Sequence, residues 1–142
     1  MATQSWATPA AIATALTTEL NALANGSQSA QSAAIDNLTG LYQYMEVELV
    51  LASLTPTGTP YCSVYLVKEI DGTNYEDLTT SASHLVVAVL PFSTAVAAKR
   101  IVVANILIPP CAFKLAVQNQ AGPALAASGS TLKYRRFNEA SV

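Results

Sequence analysis

Charge is what this 142-residue sequence has least of. Asp, Glu, Lys and Arg make up 11% of it, against about a quarter of a typical soluble domain. Seven basic and nine acidic residues leave a net charge of −2, so no electrostatic attraction is available to dominate binding to nucleic acid or to an anionic membrane. Long apolar runs are also missing. The longest are Leu85 to Leu90 and Val47 to Ala52, the latter broken by Glu48, far short of the roughly 20 residues that span a bilayer. The first ten residues hold no Lys or Arg and place Gln4, Ser5, Thr8 and Pro9 where a secretion signal needs charged and apolar regions, so export is not expected.

Reactive side chains are equally scarce. Cys62 and Cys111 are the two cysteines. They are too few for a disulfide scaffold and lack a zinc-type spacing, so both read as small buried hydrophobes of a protein made in a reducing cytoplasm. His84 is the single histidine, at the head of the run Leu85 to Leu90, and reads as a satisfied residue at a strand end. A general base needs a nucleophile and an orienting acid, and no motif supplies them. The phosphate-cradling, dinucleotide and nucleophile-elbow patterns are all absent from the sequence. No catalytic residue, metal site or cofactor is therefore expected, and the chain does not read as an enzyme.

What is present is small and apolar. Ala, Ser and Thr account for 51 of the 142 residues, and hydrophobic residues for 51%, enough for one core and too apolar for bulk disorder. Residues 1–19 are rich in Ala and Thr and contain the single tryptophan, Trp6. Thr8-Pro9 suits a helix start ahead of Ala10 to Leu20, but the threonines weaken helix propensity. The competing reading is an arm that orders against a neighbour. Asn25-Gly26 marks a turn, and residues 27–35 read as a plain strand.

From Leu41 the hydrophobic period is two: Met45, Val47, Leu49 and Leu51 alternate with Tyr44, Glu46, Glu48 and Val50. Alternation resumes in residues 61–70, with Cys62, Val64 and Leu66 on one side, and again with Phe113, Leu115 and Val117. A last strand sets Leu132, Tyr134 and Arg136 against Lys133, Arg135 and Phe137. The runs from Leu85 to Phe92 and from Ile101 to Ile108 are nearly continuous in aliphatic residues, as in strands buried on two faces. Seven or eight strands without crossover helices predict an all-β chain. The expected fold is an antiparallel two-sheet sandwich of jelly-roll type over residues 20–142, preceded by a non-globular arm over residues 1–19.

Three groupings bear on function. The loop from Asp71 to Asp77 gathers oxygen donors, but its spacing fits no calcium loop, so it reads as a solvated hairpin turn. Tyr42, Tyr44, Tyr61, Tyr65 and Tyr75 fall on two successive strands and their loop, as core packing or as an aromatic face for a sugar or a protein. Charge is segregated along the chain. Residues 1–98 hold eight acids and Lys68, whereas residues 99–142 hold six bases and Glu139. The choice is between cancellation within the fold and a basic face that meets an acidic one on another subunit.

The order of motifs resembles small structural proteins of tailed bacteriophages. The residues that carry it are Leu20 to Gly26, Ile35-Asp36-Asn37, Tyr65-Leu66 with Asp71 to Tyr75, Ile108-Pro109-Pro110 with Phe113-Lys114-Leu115, and Ala126 to Gly129 before Leu132. The resemblance spans about residues 20–137. It implies a virion component: a jelly-roll capsid cement or decoration protein, often trimeric, that binds the major capsid protein on the capsid surface after assembly in the host cytoplasm. It implies no nucleic-acid or membrane partner. Candidate partner contacts are Trp6 and Pro9 in the arm, Tyr75 in the acidic loop, and Lys133, Arg135 and Arg136 in the last strand. The competing assignment is a tail, neck or host-attachment module that binds carbohydrate.

Overall fold

The structure of the protein, a computed structural model, describes residues 4–78 and 86–141. His84, Ser83 and Leu85 lie outside the described residues. Nine strands are present: β1 (Gln4–Trp6), β2 (Ala13–Leu16), β3 (Tyr44–Leu54), β4 (Tyr61–Lys68), β5 (Val86–Pro91), β6 (Ala97–Leu107), β7 (Phe113–Gln120), β8 (Thr131–Phe137) and β9 (Glu139–Ser141). They form a four-stranded sheet in the order β2-β8-β3-β6, a three-stranded sheet in the order β5-β4-β7, and a short β1-β9 ribbon. All named pairings are antiparallel. No helix among the described residues is long and apolar enough to cross a membrane.

The period-two pattern of β3 decides the layering. Met45, Val47, Leu49 and Leu51 are fully buried, and the residues between them are half-buried on the opposite face. Leu132 of β8 joins them from the same sheet, while Cys62, Val64 and Leu66 of β4 and Phe113, Leu115 and Val117 of β7 meet them from the other. A single core between two antiparallel layers follows, as a sandwich requires. A smaller cluster of Tyr65 and Ala116, with Leu78 and Val86 against it, lies on the other side of the β5-β4-β7 sheet.

Several expectations change. The aliphatic runs of β5 and β6 are not buried on two faces. Both strands are sheet edges whose outer positions face solvent, with Val89 and Val102 more than half exposed. Their β-branched residues reflect strand preference rather than two-sided burial. Residues 1–19 are not an arm throughout. Ala13–Leu16 adds to the four-stranded sheet beside β8, Leu16 is buried, and a 3-10 turn at Thr18–Leu20 buries Leu20. No helix follows Pro9. The upstream residues continue along the C-terminal strands, with the Ala7 and Ala10 N–H groups donating to the carbonyls of Asn138 and Arg136.

Residues 27–35 do not make a regular strand either. This segment lies along the open edge of β7 with a period of three: the N–H groups of Gly26, Ser29, Ser32 and Ile35 donate to the carbonyls of Asn119, Val117, Leu115 and Phe113. Three residues of the strap thus match two of the strand. Ser29, Ser32 and Ile35 are buried at this spacing while Ala30, Ala33 and Ala34 face out. Two buried asparagines fasten its ends. Asn119 Nδ2 donates to the carbonyls of Leu23 and Pro123, and Asn37 Nδ2 donates to those of Tyr42 and Pro109.

Candidate functional site

The outer face of the four-stranded sheet brings together more of the candidate residues than any other surface described. Tyr44 of β3 pairs across to Phe137 of β8, Glu46 to Arg135 and Glu48 to Lys133. These positions alternate with the buried ones, so all six share the outer face. On the far side of β3, Glu48 lies opposite Val102 of β6, and Tyr44 lies opposite Leu107.

The charges of this face are paired within the chain. Arg135 Nε donates to Glu46 Oε1 and its Nη2 closes the ion pair. Arg100 Nη1 donates to Glu48 Oε2 at 2.8 Å. On the loop after β4, Lys68 Nζ lies 3.8 Å from Glu76. The acids of the first two thirds of the chain therefore meet the bases of the last third across β3, β6 and β8. The segregation seen along the sequence becomes cancellation in space. Such half-exposed pairs orient side chains more than they stabilise, at about 0–1 kcal/mol each.

At one end of the face stands an aromatic corner. Tyr44 and Phe137 stack with centroids 5.7 Å apart, and the Trp6 ring meets Phe137 edge-on at 5.3 Å and Tyr44 at 6.4 Å. The β1-β9 ribbon, which pairs Trp6 with Glu139, holds the indole there. Trp6 is nonetheless 61% exposed, so it is fixed on its own body and still presents most of its surface. Exposed Ile12 lines a groove of about 420 Å³ on the same face, together with Val102, Lys133, Arg135 and the Glu48–Arg100 pair. Sequence periodicity had no means of finding Ile12, Val102 and Leu107, because a single exposed aliphatic residue has the same pattern as a buried one.

The other candidates are elsewhere. Pro9 is exposed on the segment beside the end of β8. Arg136 turns to the opposite side of β8, where its Nη1 donates to the Asp36 carbonyl and its guanidinium lies 4.9 Å from the Tyr42 ring centroid and 5.9 Å from that of Tyr134. It fastens the turn after Asp36. The Asp36 carboxyl is held below its ordinary value, first by the Leu38 N–H and the Thr39 hydroxyl and more weakly by Arg136. Tyr75 sits by the three-stranded sheet, with Lys114 Nζ 4.1 Å above its ring.

The five tyrosines do not assemble into one platform, because β3 and β4 belong to different sheets. Tyr65 is buried and donates to Gln118 Oε1. In the acidic loop, Asp71 accepts hydrogen bonds from the N–H groups of Thr73 and Asn74 and from the Asn74 side chain. Those donors, Asn74 first, hold its carboxyl down to about 2. Among the described residues no group of three His, Cys, Asp or Glu side chains comes together as a metal site would need. Cys62 and Cys111 are free thiols, the former buried. What this face offers chemically is contact: pre-paired charges, a fixed aromatic corner and scattered exposed aliphatic groups. Compared with protein-family models, with curated proteins and with solved structures, the chain has no match in any of the three.

Proposed function

We propose that the chain is a structural virion protein of a tailed bacteriophage, a jelly-roll cement protein that binds the major capsid protein and stabilises the head, acting without turnover. The observation that carries this reading is Trp6: an aromatic side chain 61% exposed yet held by Phe137 and Tyr44. An anchor already fixed loses little conformational freedom on binding, and tryptophan is the side chain most enriched at binding hot spots. The surrounding charges are matched in cis by Glu46–Arg135 and Glu48–Arg100, so covering this face strands no isolated ion. Residues 20–137, which carry the likeness to phage structural proteins, supply the rigid sandwich behind it.

The test is a binding assay of the full chain on undecorated capsids, combined with imaging of intact virions. Retention of the chain over the whole shell is the expected result, with Trp6→Ala weakening attachment while the sandwich stays folded. Density for the chain at a single vertex, or along the tail, would overturn the cement reading in favour of a neck, tail or attachment part. Unchanged capsid binding by Trp6→Ala would remove the aromatic corner from the contact.

A further inference from the structure

The sheet edges of this molecule are not treated alike. The open side of β7 is covered by the Ser29–Ser32 strap. β2, at the end of the four-stranded sheet, has four residues, and β5 has six and ends in Pro91. Short strands, proline and covering segments are the usual protection against unwanted strand pairing. β6 is different: eleven residues long, at the edge of its sheet, with β3 on one side and no strand of the described residues on the other.

Edge strands are also commonly guarded by charge, and β6 carries Lys99 and Arg100. Neither guards the open side. Lys99 is buried, its Nζ donating to Ser93 Oγ and the Ala95 carbonyl. Arg100 is drawn across β3 to Glu48. The exposed aliphatic residues Val102 and Leu107, 54% and 72% accessible, remain on the strand. Its pairing with β3 is regular from Lys99 to Val103 and shifts register on either side of that stretch. Asn105, with φ at +58°, marks the irregularity at the C-terminal end.

We propose that β6 pairs with β6 of a second copy of this chain, antiparallel and about a two-fold axis at Ile101. This joins the two four-stranded sheets into one. Self-complementarity selects this occupant. Centred on Ile101, the pairing sets Arg100 opposite the partner's Val102 and Lys99 opposite the partner's Val103, so no two like charges face each other. Moving the axis one residue back would oppose Arg100 with itself, and moving it one residue forward would carry the pairing into the irregularity at Asn105. At Ile101 the whole regular stretch pairs with its own copy, and the exposed Val102 is covered by the aliphatic stem of Arg100. An isologous contact of this kind closes on itself as a dimer. It stands independently of capsid binding.

Sedimentation of the full chain at roughly micromolar concentration should give twice the 14.8 kDa chain mass. Val102→Lys, which places a new cation opposite Arg100 across the seam, should weaken the dimer about tenfold or more with an unchanged far-ultraviolet spectrum. In a Cys111→Ser background, a mixture of Arg100→Cys and Val102→Cys chains should form a disulfide-linked pair on oxidation, more readily than either chain alone. A monomer or a trimer overturns the proposal. So does a dimer that shows no preferred cross-link in the mixture, and that result decides the matter even if Val102→Lys fails to fold.

Discussion

Ser29 and Val117 hold each other by two hydrogen bonds: the Ser29 N–H donates to the Val117 carbonyl at 2.8 Å, and the Val117 N–H donates to Ser29 Oγ at 3.0 Å. Ser32 and Leu115 repeat the arrangement at 2.8 and 3.0 Å. The two hydroxyls thus accept from strand amides that the strap backbone, with its three-residue stride, does not reach. Replacing either serine by alanine leaves a buried N–H without its acceptor, which costs about 1–3 kcal/mol. Ser29→Ala and Ser32→Ala should each lower stability in urea unfolding by that amount, and the double variant by more. Amide exchange at Leu115 and Val117 should accelerate selectively. Ala30→Ser, on the outer side of the strap, should be neutral.

The strap also shows where sequence reading stops. The alternation of Met45, Val47, Leu49 and Leu51 was legible because one buried face imposes a strict period of two. The faces of Leu132, Tyr134, Lys133 and Arg135 followed from the same rule. The spacing of Ser29, Ser32 and Ile35 was equally present in the sequence. It has meaning only when an open strand edge is available to receive it, and edges are set by the order of strands in space. The separation of β3 from β4 into different sheets, which scatters the tyrosines, and the meeting of Glu46 with Arg135 depend on that same order. Of the interaction face, Trp6, Lys133 and Arg135 were legible as candidates. Their assembly with Ile12 and Phe137 was not.

Asp71 makes acid sensitivity local to the loop after β4. Its folded carboxyl sits at about 2 against an ordinary 3.8. The stabilising contribution of its hydrogen bonds is therefore complete above pH 3.8 and is lost as pH falls through about 2. Asp71→Ala should be less stable than the parent at neutral pH, and the gap should narrow as the pH is lowered across that window. Titration of the Asp71 carboxyl followed by NMR gives the direct check, and a midpoint near the ordinary value would contradict the turn geometry.

The two thiols should separate cleanly. Cys62 is fully buried among core residues, and burial pushes its thiol up to about 12 from 9.0. Cys111 is partly exposed. The thiolate is the reactive form. A thiol reagent at mildly alkaline pH should therefore modify Cys111 in the native protein and reach Cys62 on unfolding. Because the folded value of Cys62 is raised, its contribution to stability is complete below pH 9.0 and lost as pH rises toward about 12. Cys62→Ala should flatten that alkaline decline at some cost in core packing.

Truncation from the N-terminus should proceed in two distinct steps. Removal of residues 1–10 takes away β1, Trp6 and the hydrogen bonds to Asn138 and Arg136, while the sandwich keeps β2 and the buried Leu16. Only a small loss of stability is expected, because β1 and β9 contact the body through one aromatic corner. Removal through Glu19 is a different operation. It strips β2 from β8, leaves the Leu132 edge of the sheet unpaired and empties the site of Leu16, which is 1% exposed. Loss of a buried leucine alone costs about 2–5 kcal/mol. Thermal unfolding should therefore show a small drop in Tm for the shorter deletion and a large one for the longer. Equal effects would mean that residues 11–19 are no part of the folded unit, contrary to the pairing of Ala13–Leu16 with β8.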